Sequence, residues 1–323
     1  MKNKSLIHKY KPKKIEDFNF NEYFNFILKS LFEMNDLNIL FVGPPNSGKT
    51  TLLQIIAKTY YEINDENPIP ENNVLFINNI KEQGINYYRN EMKTFCQSPA
   101  TKIKYGGKKM VIIDDMDMIN EQSQQVFRNF MDKYKNNVNF VAVCTNIQKI
   151  NESIQSRLHV MKIETLNYEK IQHIINTITK NENIIMSKDA TDYLIKISDN
   201  CIRNVVNNLE KIHIIGEPVD LNICRKICSN VNCHNFDRYV LQIREKKNVG
   251  TAIKILYDIY NYGYSVIDVL YYFFYFVKTT NLITEKEKYE IISVICKYIC
   301  VFHNIHENVI ELALFTNDIY DIL

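Results

Sequence analysis

Tryptophan is absent from the 323 residues, and glycine and proline are scarce, at 8 and 7 copies. So little of either excludes collagen-like and flexible-linker chains, and it makes every local concentration of glycine informative. An excess of charge of one sign is lacking too: 39 Lys+Arg face 37 Asp+Glu, a formal net charge of +2. That balance excludes a polybasic, histone-like chain but leaves room for a local basic groove. No apolar run reaches the roughly 18–20 residues that span a bilayer. The most apolar stretch, Val266 to Val277, is too short and reads as a buried helix, so no membrane partner is expected. The basic start of the chain, through Lys14, leads into no apolar core with a small-residue cleavage site, so no secretory signal is expected. Paired C-x2-C spacing, which a zinc site wants, is also missing. The 8 cysteines are scattered, as in chains kept reduced. Cys224, Cys228, Cys233 and His234 do cluster, but Cys224 and Cys228 are one helical turn apart and read as buried thiols. Cys296 and Cys300 repeat that spacing and receive the same reading.

What remains is an ordinary globular composition, 46% hydrophobic and 24% charged, long enough for two or three domains. The abundance of Asn, Ile, Lys and Tyr points to an AT-rich coding genome, which concerns ancestry and not chemistry. Short apolar runs alternate with amphipathic segments through the first half, the pattern of a parallel α/β sheet. Strands are expected at Asn38–Val42, Val74–Asn78, Met110–Ile113, Asn139–Cys144 and Val160–Ile163. After about Glu164 strands stop. Helical periods follow at Tyr168–Lys180, Lys188–Ser198 and Ile202–Ile215, and from Phe236 onward the pattern is helical throughout. The aromatic stretch Tyr271–Phe276 reads as core or subunit interface.

Two of the scarce glycines fall in one motif. The strand Asn38–Val42 runs into Gly43, Pro44, Pro45, Asn46, Ser47, Gly48, Lys49 and Thr50, followed by Thr51 and a helix. This is G-x-x-x-x-G-K-[ST] between a buried strand and a helix, where a phosphate-binding loop belongs. Its backbone N–H groups and helix N-terminus would cradle phosphates. Lys49 would meet the β- and γ-phosphates, and Thr50 would offer its hydroxyl to Mg²⁺, so ATP and Mg²⁺ are the expected cofactors. The run Lys109–Ile113 delivers Asp114 and Asp115 at a strand's C-terminal end. Asp114 is expected to serve the metal, and Asp115 to activate the attacking water. Asp117 reads as a cap on the next helix, and Lys108–Lys109 as a solvated basic face.

Together, G-P-P-x-x-G-K-T and the acidic box Ile112-Ile113-Asp114-Asp115-x-Asp117 resemble the AAA+ ATPases, specifically the small subunits of replication factor C, the sliding-clamp loader. Further motifs carry the resemblance along nearly the whole chain. Lys9-Tyr10-Lys11-Pro12 is similar to a K-Y-R-P box, and Glu82-Gln83-Gly84-Ile85-Asn86 with Arg89 to E-R-G-I-D…R. Ser123 to Arg128 is similar to A-Q-x-A-L-R, Ile154-Gln155-Ser156-Arg157 to I-Q-S-R, Ile202 to Asn207 to L-R-K-A-I-N, and Gly263-Tyr264-Ser265 with Asp268 to G-Y-S-x-x-D. The fold implied is an AAA+ P-loop parallel-sheet domain over residues 1–164, a helical lid over 165–229 and an all-α C-terminal collar over 230–323.

The resemblance also implies roles. Tyr10 and Pro12 would lie beside the adenine. Thr145, with Asn146 beside it, would sense the γ-phosphate and orient water. Arg203 would reach the γ-phosphate from the lid, and Arg157 would act in trans as an arginine finger at a neighbour's site. Arg89 and Lys93, one turn apart on a predicted helix, and Arg128 on another, would face template DNA through its phosphates. The family usually has Glu where Asp115 stands; losing one methylene withdraws the carboxylate by about 1.5 Å, so slow hydrolysis is expected. Implied partners are the other subunits of a hetero-oligomer, with a pentamer expected, a PCNA-like clamp and primer–template DNA. Implied locations are the nucleus, or a viral replication factory. Alternatives are a non-hydrolysing structural subunit of the same ring, another AAA+ replication or helicase loader, and a small-metabolite P-loop kinase.

Overall fold

The computed structural model describes residues 5–18, 20–64, 67–78, 85–100, 107–198, 201–228, 233–245, 248–302 and 305–323. They divide into two compact units, one formed by Met1–Ile185 with Leu194–Glu217 and the other by Met186–Tyr193 with Pro218–Leu323.

In the first unit five parallel strands, β1 (Ile39–Val42), β2 (Val74–Ile77), β3 (Lys109–Ile113), β4 (Val138–Cys144) and β5 (His159–Lys162), pair in the order β2-β3-β4-β1-β5. All five lie within a residue of where the apolar runs place them. Alternation along β4 explains why both sheet faces are covered, because successive side chains point to opposite sides. Val141 and Val143 join Ile39 and Phe41 of β1 on one face. Phe140, Ala142 and Cys144 join Leu40 and Val111 on the other. Helices α1 (Leu6–Lys9), α2 (Glu22–Glu33) and α3 (Lys49–Tyr60) precede β2. Phe24, Leu28 and Leu31 of α2 and Leu52, Leu53 and Ile56 of α3 fill the first face. Next come α4 (Ile85–Gln97), α5 (Glu121–Tyr134) and α6 (Glu152–Gln155). Met92 of α4, Phe127 and Met131 of α5 and Ile154 of α6 fill the second.

Helix α7 (Tyr168–Glu182) follows β5, then α8 (Lys188–Ile197), which is divided between the units, and α9 (Ile202–Ile215). Asn183 and Gly216 end α7 and α9 in the left-handed conformation that closes a helix.

The second unit contains α10 (Leu221–Cys228), α11 (Cys233–Arg244), α12 (Val249–Asn261), α13 (Val266–Thr279), α14 (Glu285–Phe302) and α15 (Ile310–Tyr320). The Val266–Val277 run lies within α13, and no described helix is long and apolar enough to cross a membrane. The Ser265…Asp268 pair is a capping box: the Ser265 hydroxyl accepts from the Asp268 N–H at 3.1 Å, and the Asp268 carboxylate accepts from the Ser265 N–H at 3.2 Å. The aromatic stretch is half core and half surface. Phe273 and Phe276 are buried, whereas Tyr271 and Tyr275 are exposed. Cys224 and Cys228 are buried as expected, with their sulfurs 3.8 Å apart. Cys296 and Cys300 are not; both are exposed, because α14 buries the face carrying Ile291, Ile295 and Tyr298 instead. The side chains of Cys233 and His234, and residues Glu82-Gln83-Gly84, lie outside what the structure describes.

Candidate nucleotide and metal site

Two glycines set the loop between β1 and α3. Gly48 has φ +86°, a conformation that side-chain-bearing residues avoid, and it caps α3. Gly43 is held by space: a Cβ there would stand 3.0 Å from the Ile163 Cβ and 3.0 Å from the Ser47 Oγ. Pro45 and Asn46 form the exposed turn between them. Lys49 opens α3 and is only 7% exposed. Its ammonium donates to the carbonyls of Pro44 at 2.8 Å and Gly43 at 3.1 Å. Burial lowers its pKa, and the charges of Asp115, Asp117 and Asp114, in that order, oppose the fall.

The sheet order places β4 between β1 and β3, so the loop after β1 and the tip of β3 flank one strand end. Across it, the Thr50 hydroxyl donates to Asp114, 2.9 Å from Oδ2 and 3.2 Å from Oδ1. Asp114 is 4% exposed; burial raises its pKa and the Thr50 hydrogen bond pulls against that rise. A hydroxyl facing a carboxylate is an oxygen donor set of the kind a hard divalent cation takes, so these residues fit Mg²⁺. The Ser47 hydroxyl of the loop is buried without a hydrogen-bond partner. Thr51 is half-buried on the first turn of α3.

Asp115 is half-buried at φ +49° and ψ 55°. Non-glycine residues seldom adopt this left-handed conformation, and here it turns the chain sharply after β3. Asp117 is therefore not the helix cap expected from the sequence. Helix α5 is capped by Asn120, which accepts from the Ser123 N–H at 2.9 Å. Asp117 instead reaches the end of β4, where its Oδ2 accepts from the backbone N–H of Asn146 at 3.0 Å and of Thr145 at 3.2 Å. Thr145 and Asn146 are themselves exposed, and the Asn146 side chain accepts from the Gln148 N–H.

Near the chain's start, Lys11 donates to Gln54 of α3 at 2.7 Å, while Tyr10 and Lys9 both bond Glu182 at the end of α7. The Lys9 and Tyr10 hydrogen bonds hold the Glu182 carboxyl below its usual range. Pro12 is half-buried in this strap. Arg203 is exposed on the first turn of α9.

Arg157 follows α6 and makes a two-pronged pair with Asp132 of α5, at 2.6 and 3.1 Å, and also donates to the Ser153 carbonyl at 2.6 Å. Asp132 also lies 3.8 Å from Arg128. Arg89 and Lys93 are exposed on α4. That helix is anchored by Lys109, which is 3% exposed and not the solvated cation expected. Its ammonium donates to the Phe95 carbonyl at 2.9 Å and the Ser98 hydroxyl at 2.7 Å, and lies 4.4 Å from the Phe95 ring centre. A cation belongs at a helix C-terminus, where carbonyls lack partners. Gln124 belongs to the Ser123 to Arg128 motif, but the sequence assigned it no role of its own. It is buried, its amide donates to the Ile119 and Lys149 carbonyls, and its oxygen accepts from the Asn151 N–H.

Comparison with known proteins bears out the resemblance. Residues 39–165 match the model for the ATPase family associated with various cellular activities. Replication factor C subunit 4 of Encephalitozoon cuniculi is 28% identical over 291 residues, covering 90% of this chain and 89% of the relative. The replication factor C small subunit of Haloarcula marismortui is 30% identical over 215 residues, 66% of this chain and 64% of the relative. Over most of its length the chain is similar to replication factor C small subunits, and residues 39–165 form an AAA ATPase domain. The RuvB Holliday junction branch migration motor of Thermotoga maritima aligns at a TM-score of 0.51 over 76% of this chain and 85% of that one. At 14% identity, this last likeness concerns the fold alone. With that AAA ATPase domain the chain is an ATPase, and the loop residues and the Thr50–Asp114 pair are the candidates for its nucleotide chemistry.

Proposed function

We propose that the chain is a small subunit of an ATP-dependent loader that places a PCNA-like ring on primer–template DNA, with residues 165–229 as the lid and 230–323 as the collar of a hetero-oligomeric ring. Lys49 and the loop N–H groups bind the phosphates, Thr50 and Asp114 hold Mg²⁺, and Asp115 orients the attacking water. The metal would neutralise charge on the phosphate oxygens. Releasing Lys49 from the Pro44 and Gly43 carbonyls to meet phosphate exchanges two neutral acceptors for charged ones. The observation that carries the ring reading is the placement of Arg157. Its guanidinium is held by Asp132 and Ser153, as suits a cation offered to a neighbour. Arg203 would supply the charge in cis, and Tyr10 and Pro12 would border the base. Arg89, Lys93 and Arg128 would follow the DNA backbone, giving affinity without sequence preference. Nuclear replication, or a viral replication factory, fits such a role.

The test is assembly. The tagged chain, isolated from its source, should bring down related AAA+ subunits and a ring-shaped clamp, and ATP turnover should rise with primer–template DNA. Recovery without a clamp, or with a helicase, would favour another AAA+ loader.

A further inference from the structure

The chain between Asp114 and Asn120 carries a third carboxylate to which the ATPase scheme gives no task. Because β3 and β4 are neighbours in register, Ile113 beside Ala142, their tips emerge side by side. The left-handed turn at Asp115 leads into a short 3-10 turn, Met116–Met118, which folds Asp117 back over the end of β4. One oxygen of Asp117 then receives both the Thr145 and the Asn146 N–H. Its other oxygen is buried without a hydrogen-bond partner, an arrangement costly enough to need an explanation. Two adjacent N–H groups past the end of a strand have no ladder partner, so a carboxylate that takes both fixes the backbone there.

We propose that Asp117 is a positioning residue for hydrolysis: it clamps the end of β4 to the tip of β3, so that Thr145 or Asn146 is held in fixed register with the Asp114–Thr50 pair. The proposal rests on the assignment of the Thr145–Asn146 pair to the γ-phosphate and the attacking water. It is independent of ring position, DNA and partners. Asp117 does not touch substrate in this scheme; it acts through the backbone of two residues that do.

Asp117→Asn and Asp117→Ala separate a clamp from a chemical role. Both N–H groups converge on a single oxygen, so the Asn amide oxygen can still accept them, whereas Ala cannot. In the full chain with its partner subunits, Asp117→Ala should lower kcat by about 10² for a displaced group near the reacting atoms, with affinity for a non-hydrolysable ATP analogue kept within about two-fold. Asp117→Asn should retain most of the turnover. Hydrogen exchange of the Thr145 and Asn146 amides gives a readout apart from activity: fast in Asp117→Ala, protected in wild type and in Asp117→Asn. Four results would overturn the proposal: unchanged exchange in Asp117→Ala, freed amides with unchanged kcat, equal losses of turnover in both variants, or turnover and analogue affinity falling by one common factor. Loss of analogue binding in Lys49→Ala separately tests the ATP site itself.

Discussion

The sheet unit and the helical unit bury different things. In the sheet unit Lys49, Asp114 and Lys109 are buried ions, accompanied by Asn38, Gln124 and Asn139. Each of the three ions is engaged by named partners: loop carbonyls for Lys49, a hydroxyl for Asp114, a helix end for Lys109. In the helical unit the buried polar residues among those described are Thr280 and Thr316, and the Thr316 hydroxyl donates to its own helix at the Leu312 carbonyl. Its core is aromatic instead, with Phe273 packed against the rings of Phe236, Tyr239, Phe276 and Phe315. Burying an ion costs free energy unless it is paired and hydrogen-bonded, and a purely structural core avoids that cost. The contrast is one of purpose: the sheet unit maintains charges at a strand end, and the helical unit maximises packing.

The most severe test of this contrast is Lys49→Ala, which should abolish binding of a fluorescent ATP analogue while leaving the helical unit folded. An unchanged dissociation constant would move the nucleotide site elsewhere. Next, Arg157→Ala should leave this chain's own ATP affinity intact but slow turnover at the neighbouring site by about 10³ or more, as for a missing arginine finger. The effect should vanish in the isolated chain, and an equal defect there would place Arg157 in cis. On the packing side, Phe273→Ala should cost about 3–5 kcal/mol in urea unfolding with no change in nucleotide affinity; a parallel drop in affinity would dissolve the separation between the two regions. Smaller effects are expected at Asp115. Substitution by Glu should raise turnover in the assembled complex and by Asn should lower it, whereas equal rates would show that the position performs no base chemistry. Smallest is the double reversal of Arg89 and Lys93 to Glu. It should weaken primer–template binding regardless of sequence and flatten the salt dependence by roughly 0.9 for each phosphate that is no longer neutralised. A wild-type slope would leave these residues a solvated helix face.

Much of this architecture is legible in the chain because its signals are local. Helix Ile202–Ile215 ends where glycine can turn left-handed at Gly216, and the five strands follow from runs of branched apolar residues. The G-x-x-x-x-G-K-T loop announces itself by glycine spacing in a chain that uses little glycine. Lys109, Asp117 and Cys296 depart from what their local sequence suggests for one common reason. Burial and hydrogen-bond partners depend on elements distant in sequence: α4 for Lys109, the end of β4 for Asp117, and the face α14 turns inward for Cys296. A lysine beside a strand looks solvated until a helix end arrives over it.

The glycine-rich loop, the acidic pair after β3, the order of strand and helix and the family resemblance are all written in the sequence, since each depends on residue type and spacing over a few positions. Which charges are buried, and what they bind, was settled by packing. Packing brings Thr50 to Asp114 across 64 residues of chain, sets Asp132 against Arg157, and lets Asp117 grip β4 while Asn120 caps the neighbouring helix. Those choices belong to the fold because a hydrogen bond is made or broken within a few tenths of an ångström, and only the packed sheet brings separate strand tips that close.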